Sequence, residues 1–321
     1  MPRVISLGEA LIDLFGGKGT PLRELKPLQP FPGGAPANVA VALARLGIEV
    51  GFIGRVGADD YGAFLIELMA SEGVDVTHFV ADPQALTMLA VVAAPSPTEQ
   101  HFVLYHGADT LLRPEQLDQA YIQSARCLVF GSVTLAEASG PAALQAARWA
   151  REAGHHVIFD VNLRPSVWHD LPTARRCIQE AIALATVVKL SEVELKFLTG
   201  MGDPAAGSRT LVERGVPLCC VSLGAEGSYF NNGVISGHVP AFPVNVIDTT
   251  GSGDAFVAGL ACELSNQDQP LRHLSSTALY QILRFANACG ALSATRLGAM
   301  SALPTREAVE RLLRGSNSEI G

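Results

Sequence analysis

Several kinds of feature are missing from this sequence, and each absence narrows what the chain can be. No apolar run in its 321 residues approaches the ~20 needed to span a bilayer, although 48% of the residues are hydrophobic. No basic cluster interrupts a formal charge of −8, from 23 Lys+Arg against 31 Asp+Glu, which argues against nucleic acid and anionic membranes as partners. The six cysteines, Cys127, Cys177, Cys219, Cys220, Cys262 and Cys289, lack C-x-x-C spacing and nearby paired histidines. Zinc and a disulfide framework are therefore unsupported, and buried reduced thiols are expected. There is no G-x-x-x-x-G-K-[ST] phosphate loop, and the Gly33-Gly34 pair is not part of a G-x-G-x-x-G fingerprint. Internal repeats, low-complexity tracts and Pro/Ser-rich linkers are absent, so one core with a lid is expected over residues 1–321. The opening MPRVISLGEALIDLF carries Glu9 and Asp13 inside its apolar stretch. It reads as a first strand rather than a signal peptide, with a cytoplasmic location as the expectation.

What is present is a βα alternation. Val4–Leu7, Val50–Gly54, Cys127–Phe130, Val157–Asp160, Thr186–Leu190 and Leu218–Ser222 read as strands, with a further short strand at Tyr229–Phe230. Between them, Ala37–Leu46, Pro114–Ile122, Ala142–Ala153 and Thr173–Leu184 read as helices, followed by helices at about 271–292 and 305–313. Asp60 is the expected cap of a helix ended by Gly73. Such repeats imply an α/β, Rossmann-like, mostly parallel sheet flanked by helices. Two β-rich excursions break the rhythm, at residues 14–32 and 86–107, the second a hairpin around the SPTEQ turn. Paired with each other, they would make a small β lid, discontinuous in sequence, over the crevice at the strand ends.

The chemistry is expected in Asp248–Leu264, DTTGSGDAFVAGLACEL. Gly251, Ser252 and Gly253 cannot be a helix interior, whereas Phe256, Leu260 and Leu264 recur at helical spacing. A Gly-rich turn thus opens a buried helix, whose first N–H groups and dipole suit an oxyanion or phosphate. Asp254 at that point is either a helix-start carboxylate or a general base beside an anion hole.

Together with GGAPANVAVALARLGIEVGFIGRVGADDYG (Gly33–Gly62), this stretch resembles the two signatures of the ribokinase-like carbohydrate kinase family, of the phosphofructokinase-B type. The resemblance runs from about residue 4 to 313. It implies ATP-dependent phosphorylation of a sugar hydroxyl, with Asp254 as base and the Gly251, Ser252, Gly253 and Asp254 turn as anion hole; Ser252 stands where alanine is more usual. Carried over position by position, Asp13, Gly33, Gly34 and Asn38 match the family's sugar contacts. Lys189 and Glu192 occupy its N-x-x-E site, with lysine replacing asparagine and Glu192 organising Mg²⁺ indirectly. Ser222, Gly224 and Gly227 match its nucleotide-side loop, and Asn287 its adenine-side segment. Asp248, Thr250, Ser293, Arg296 and Gly298 occupy its monovalent-cation loop, which implies K⁺, although Ala302 falls where serine is common. Each also has a plain reading: turn residues, a capping carboxylate at Glu192, a tolerated polar residue at Asn287.

Shorter fragments resemble fructokinases: GEALID (Gly8–Asp13), DVNLRP (Asp160–Pro165) with Trp168, and KLSE (Lys189–Glu192). They imply D-fructose as acceptor, with Arg164 and Tyr105 at the substrate. A 2-keto-3-deoxygluconate kinase or another sugar or nucleoside kinase of the family is the alternative, and a non-catalytic sugar-binding homologue a further one. His106 stands where those relatives carry arginine; a mostly neutral imidazole there favours a neutral sugar. The partners implied are the sugar and ATP, and a homodimer through the lid.

Overall fold

The computed structural model describes residues 1–18, 24, 28–96 and 99–315. The first half supplies β1 (Val4–Leu7), β2 (Leu11–Lys18), β3 (Gln29–Gly33), α1 (Ala35–Arg45), β4 (Val50–Gly57), α2 (Asp60–Ser71), β5 (Asp75–Asp82), β6 (Leu89–Ser96) and β7 (Glu99–Tyr105). Then come α3 (Gln119–Ser124), β8 (Cys127–Gly131), α4 (Ser132–Ala136), α5 (Gly140–Glu152), β9 (His156–Asp160), α6 (Leu171–Leu184), β10 (Val187–Ser191), α7 (Glu192–Thr199) and α8 (Pro204–Glu213). The chain closes with β11 (Leu218–Ser222), β12 (Ser228–Asn231), β13 (Ser236–Val239), α9 (Ser252–Leu264), α10 (Ser276–Ser293) and α11 (Arg306–Gly315).

Nine strands form one sheet in the order β13-β12-β11-β10-β9-β8-β1-β4-β5, parallel except where β12 runs against both neighbours. Runs such as CLVF at Cys127–Phe130 and LCCV at Leu218–Val221 are apolar at every position because both faces are covered. Alternate residues divide between two cores: Cys127 and Val129 pack with α1, α9 and α10, while Leu128 and Phe130 pack with α5 and α6. From β1 the chain builds outward through β4 and β5, then returns to add β8 onward on the other side. That reversal beside β1 is where an open α/β sheet leaves a crevice at its carboxyl ends.

A second sheet, β3-β2-β6-β7, is assembled from the two excursions. Here β2 pairs antiparallel with β3 and parallel with β6, joining segments distant in sequence. Leu11, Met88, Ala90 and Val92 make its small apolar core.

Three expectations are corrected. The helix expected over 114–122 is a 3₁₀ turn at Pro114–Gln116 followed by α3, because Leu117 is extended and Asp118 caps a fresh start by accepting from the Tyr121 N–H. The helix expected from 271 is likewise a 3₁₀ turn at Leu271–His273, then α10 capped by Ser275. The cap of α2 is Asp59, which accepts from the Gly62 N–H; Asp60 is the first helical residue.

Candidate active site

Helix α9 is apolar all round and buried from Asp254 to Cys262. Gly259 lets it lie close on α10, since a Cβ there would come within 2.9 Å of Ala286 Cα. Its N-cap is Gly251 at φ 77°, a left-handed conformation that favours glycine, and no side chain caps the end. The Ser252 N–H is engaged with the Thr249 carbonyl at 3.1 Å, and Ala255 closes the first helical bond to Gly251 at 2.8 Å. The set of N–H groups left unpaired at this turn is thus narrower than the sequence implied: the Ser252 N–H is taken, and those of Gly253 and Asp254, in the first helical turn, have no intrahelical partner.

Two cavities meet at this turn, sharing Thr249 and Gly253 as walls. The smaller, about 220 Å³, is a polar crevice between the two sheets. Asp13, Gly34, Asn38, Arg164, Gly251 and Asp254 line it, and Leu11 and Leu104 of the small sheet close one side. Gly34 at φ 98° caps α1, and a Cβ there would come within 2.6 Å of the Glu9 carbonyl oxygen. A Cβ on Gly33 would collide with the Asp13 carboxylate, so these two glycines let the backbone pass close beneath the acid. Asn38 donates through Nδ2 to Asp254 Oδ2 at 2.8 Å, while its buried Oδ1 has no partner among the described residues. Burial pushes Asp254 above the usual carboxylate range, and the Asn38 bond, Lys189 and Arg164 act against it. Asp13 is pushed up to about 7 by burial and then by Asp254, with Arg164 opposing. Tyr105 does not line the crevice: it is 58% exposed, one residue past Leu104 and so on the other face of β7.

The larger cavity, about 550 Å³, is an apolar cleft walled by Phe242, Val244, Phe256 and Ala291. Ser222, Gly224, Gly227, Ser252 and Asn287 also line it. Asn287 donates to the Val239 and Pro240 carbonyls at 3.0 and 3.2 Å, tying α10 to the end of β13 and leaving its own oxygen as the remaining acceptor. Lys189 and Glu192 do not line this cleft. Lys189 is buried in an ion pair with Asp160 at 3.0 Å, and Glu192 is exposed at the start of α7. The capping carboxylate of α7 is Glu194, which accepts from Ser191 N at 2.7 Å and Leu163 N at 2.6 Å.

The expected cation loop is held by Asp248, which accepts from the Thr250 hydroxyl at 2.8 Å and from Gly298 N at 3.0 Å. Ser293 is fully buried with its hydroxyl unpartnered among the described residues, whereas the Arg296 side chain is exposed.

Some participants carried too little sequence signal to be assigned. Glu9 lines the crevice, accepts from Thr134 Oγ1 at 2.8 Å and is pushed up to about 7 by burial. A polar residue directly after a strand-ending glycine was the available clue. Asn162 lines the crevice at φ 33°, the one positive φ outside glycine among the described residues. The reading of His106 is corrected: its Nδ1 lies 2.7 Å from Asp109 and Nε2 3.5 Å from Glu137, and the Asp109 bond raises its pKa. The ring is drawn toward its cationic form, with that charge taken up by two acids.

A mostly parallel sheet thus carries an uncapped helix start between a polar crevice and an apolar cleft, an arrangement with room for two small molecules side by side. The model of the pfkB family carbohydrate kinases matches residues 1–306, and the chain belongs to that family as a sugar phosphotransferase. It is 38% identical over 320 residues to probable fructokinase-4 of Arabidopsis thaliana, covering 98% of this chain and 97% of that one. Vibrio cholerae fructokinase, solved with fructose, ADP and calcium, superimposes with a TM-score of 0.87 at 35% identity, covering 98% and 99% of the two chains. Aminoimidazole riboside kinase from Salmonella enterica, solved with its riboside and an ATP analogue, gives 0.83 at 36% identity, covering 97% and 99%.

Proposed function

We propose that this enzyme transfers the γ-phosphoryl group of ATP to the 6-hydroxyl of D-fructose, with Asp254 as general base. The observation that carries the reading is the crevice itself. Asp13, Asp254 and Glu9 surround it with acceptors, Arg164 stands among them, and it opens onto the turn at Gly251–Asp254. Acceptors of this kind suit the hydroxyls of a neutral sugar and repel a carboxylate, which disfavours ketodeoxygluconate.

The Asp254 carboxylate takes the acceptor hydroxyl proton, and the oxygen forms a bond to the γ-phosphorus. The bond from the γ-phosphorus to the β,γ-bridging oxygen breaks, and its electrons leave with ADP. The N–H groups at Gly253 and Asp254 steady negative charge on the group in transit, positioning being most of the catalysis in this reaction. The apolar cleft holds the base near Asn287, and Ser222, Gly224 and Gly227 border the phosphates.

A divalent ion suits the residues present. Both Glu194 oxygens are taken by backbone N–H groups, so exposed Glu192 is the carboxylate of that turn left to hold Mg²⁺ through water. The ion would neutralise phosphate charge. Potassium suits the Asp248–Thr250 and Ser293–Gly298 segments, where the buried Ser293 hydroxyl, unpartnered among the described residues, offers an oxygen; the Arg296 side chain is exposed there.

A second reading, a riboside as acceptor, is favoured by the 36% identity to the Salmonella riboside kinase. ADP release measured against fructose, ribose, tagatose, ketodeoxygluconate and aminoimidazole riboside, with and without K⁺, separates the readings. Fructose is expected to rank first, and a riboside ahead of it overturns the sugar assignment. Asp254→Asn is expected to lower turnover about 10³-fold with sugar and nucleotide still bound.

A further inference from the structure

Lys189 and Asp160 lie on adjacent strands β10 and β9, paired in register, with side chains 7% and 8% exposed. Removing two charges from water costs several kcal/mol per ion before their attraction is counted, so such a pair is a poor stabilising device. Its orientation indicates another use. The ammonium faces the reaction turn: a Cβ added to Gly253 would sit 3.3 Å from Lys189 Nζ. Gly253 is a wall of both cavities, so the ammonium underlies the point where acceptor and donor meet.

The charges around this cation have separate tasks. Burial alone would push the ammonium toward neutrality; Asp160, Glu194 and Asp254 reverse that and hold it cationic. Asp160 is committed to the ion pair, and Glu194 to the Leu163 and Ser191 N–H groups. Asp254 is the remaining acid of the three, and the groups facing it are Asn38, Lys189 and Arg164. Glu9 and Asp13, across the crevice, respond to Asp254; the charges acting on them do not include Lys189.

We propose that Lys189, pinned by Asp160, is a positioning residue for phosphoryl transfer: its ammonium, set beneath Gly253, supplies the positive charge that keeps Asp254 a carboxylate ready to take the acceptor proton. This rests on Asp254 being the base. The pair thus places one fixed positive charge behind the helix dipole, where no counter-ion has to arrive with substrate.

The test is the pH dependence of kcat and kcat/KM for the full-length enzyme carrying Lys189→Met or Lys189→Arg. Lys189→Met is expected to move the acidic limb upward by about one pH unit and to lower kcat roughly 10-fold below neutrality, with activity recovering in alkali. Lys189→Arg is expected to restore the parental limb, and the sugar KM to change less than about threefold, as for a group acting through the base. Lys189→Met also frees Asp160 to rise, so an upward limb is assigned to Asp254 by its persistence in Asp160→Asn/Lys189→Met, where that second acid is gone; a neutralised Asp254 would lower the pKa of Glu9 and Asp13 instead. If Lys189→Met fails to fold, Asp160→Asn/Lys189→Met, which removes both buried charges, is read in the same way. An unmoved limb, or a loss equal at every pH, overturns the proposal. Turnover retained by Asp254→Asn would instead remove the base beneath it, and the two failures are distinguishable.

Discussion

Asn38 of α1 and Asp254 of α9, far apart in the chain, are joined across the crevice by a 2.8 Å hydrogen bond from the amide to Oδ2. The bond stabilises the charged form of the acid and leaves Oδ1 as its other oxygen. Asn38→Ala removes the donor, so the Asp254 pKa rises and its protonated fraction near neutrality grows. A fall of about 10-fold in kcat at pH 7, with partial recovery in alkali, is expected from the loss of one charge-assisted bond. A steady-state pH profile checks it; an unchanged acidic limb would show that the bond does not tune the base.

Asp13 offers the opposite balance, function held at a cost in stability. Burial pushes its pKa up to about 7 in the folded chain, well above the ordinary aspartate value, so the native state keeps a proton that the unfolded chain releases. Stability therefore falls as pH rises from about 4 through 7, where the buried group must ionise. Asp13→Asn removes that cost and is expected to be more stable at about pH 8 by roughly 1–3 kcal/mol, with little difference near pH 4. The same change removes a charged acceptor, so the sugar KM is expected to rise at least about 10-fold. Thermal melts at both pH values, beside sugar titration, decide it.

Gly251 tolerates no side chain. Its φ of 77° disfavours other residues, and an added Cβ would lie 2.9 Å from Ala299 Cα. Gly251→Ala combines backbone strain of about 1 kcal/mol with a backbone clash, and the helix start must shift. Turnover is expected to drop more than about 100-fold, since misplacement of about 1 Å suffices for that, while the melting temperature falls only a few degrees. Near-normal turnover in this variant would mean that the turn does not position the phosphoryl group.

The thiols give a prediction independent of the reaction. Cys127 and Cys219 are buried and pushed up to about 12, Cys262 to about 11, and Cys220 and Cys289 also upward, all by burial. Cys177 is only half-buried. A thiol reagent at pH 7.5 is expected to label about one site in the native enzyme, at Cys177, and all six cysteines after denaturation, with activity retained in the singly labelled form. Peptide mapping of the labelled residues checks this; rapid native labelling of Cys262 or Cys289 would mean that the α9–α10 packing opens.

Local rules reached much of this molecule because its strands are short apolar runs, as at Val4–Leu7, stopped by Gly8, and Leu218–Ser222, entered after Pro217, whose limits agree in sequence and structure. They fell short where competing caps decide. Asp59 rather than Asp60 starts α2, since it is Asp59 whose backbone is extended and whose carboxylate reaches Gly62 N. The edge strands β5 and β13 carry mixed, half-exposed residues without a clear period and went unread. In the site, Gly251–Asp254 was legible because a glycine turn before an apolar helix has few other uses. The fates of Lys189 and Tyr105 were not, because each depends on a neighbouring strand.

By itself, then, the sequence determined the alternation of strands and helices and the glycine turn that opens the buried helix α9, both of which follow from spacing within one segment. Only the tertiary structure decided which acids face one another. Glu9 comes from the β1–β2 connection, Asp13 from β2 and Asp254 from α9, and their raised pKa values arise from burial that no local pattern encodes. The same holds for Lys189: its charge survives because β9 places Asp160 beside it, and it lies under the Gly253 turn because α9 begins there. Burial and proximity across strands are properties of the packed chain, and they set the electrostatics on which this site depends.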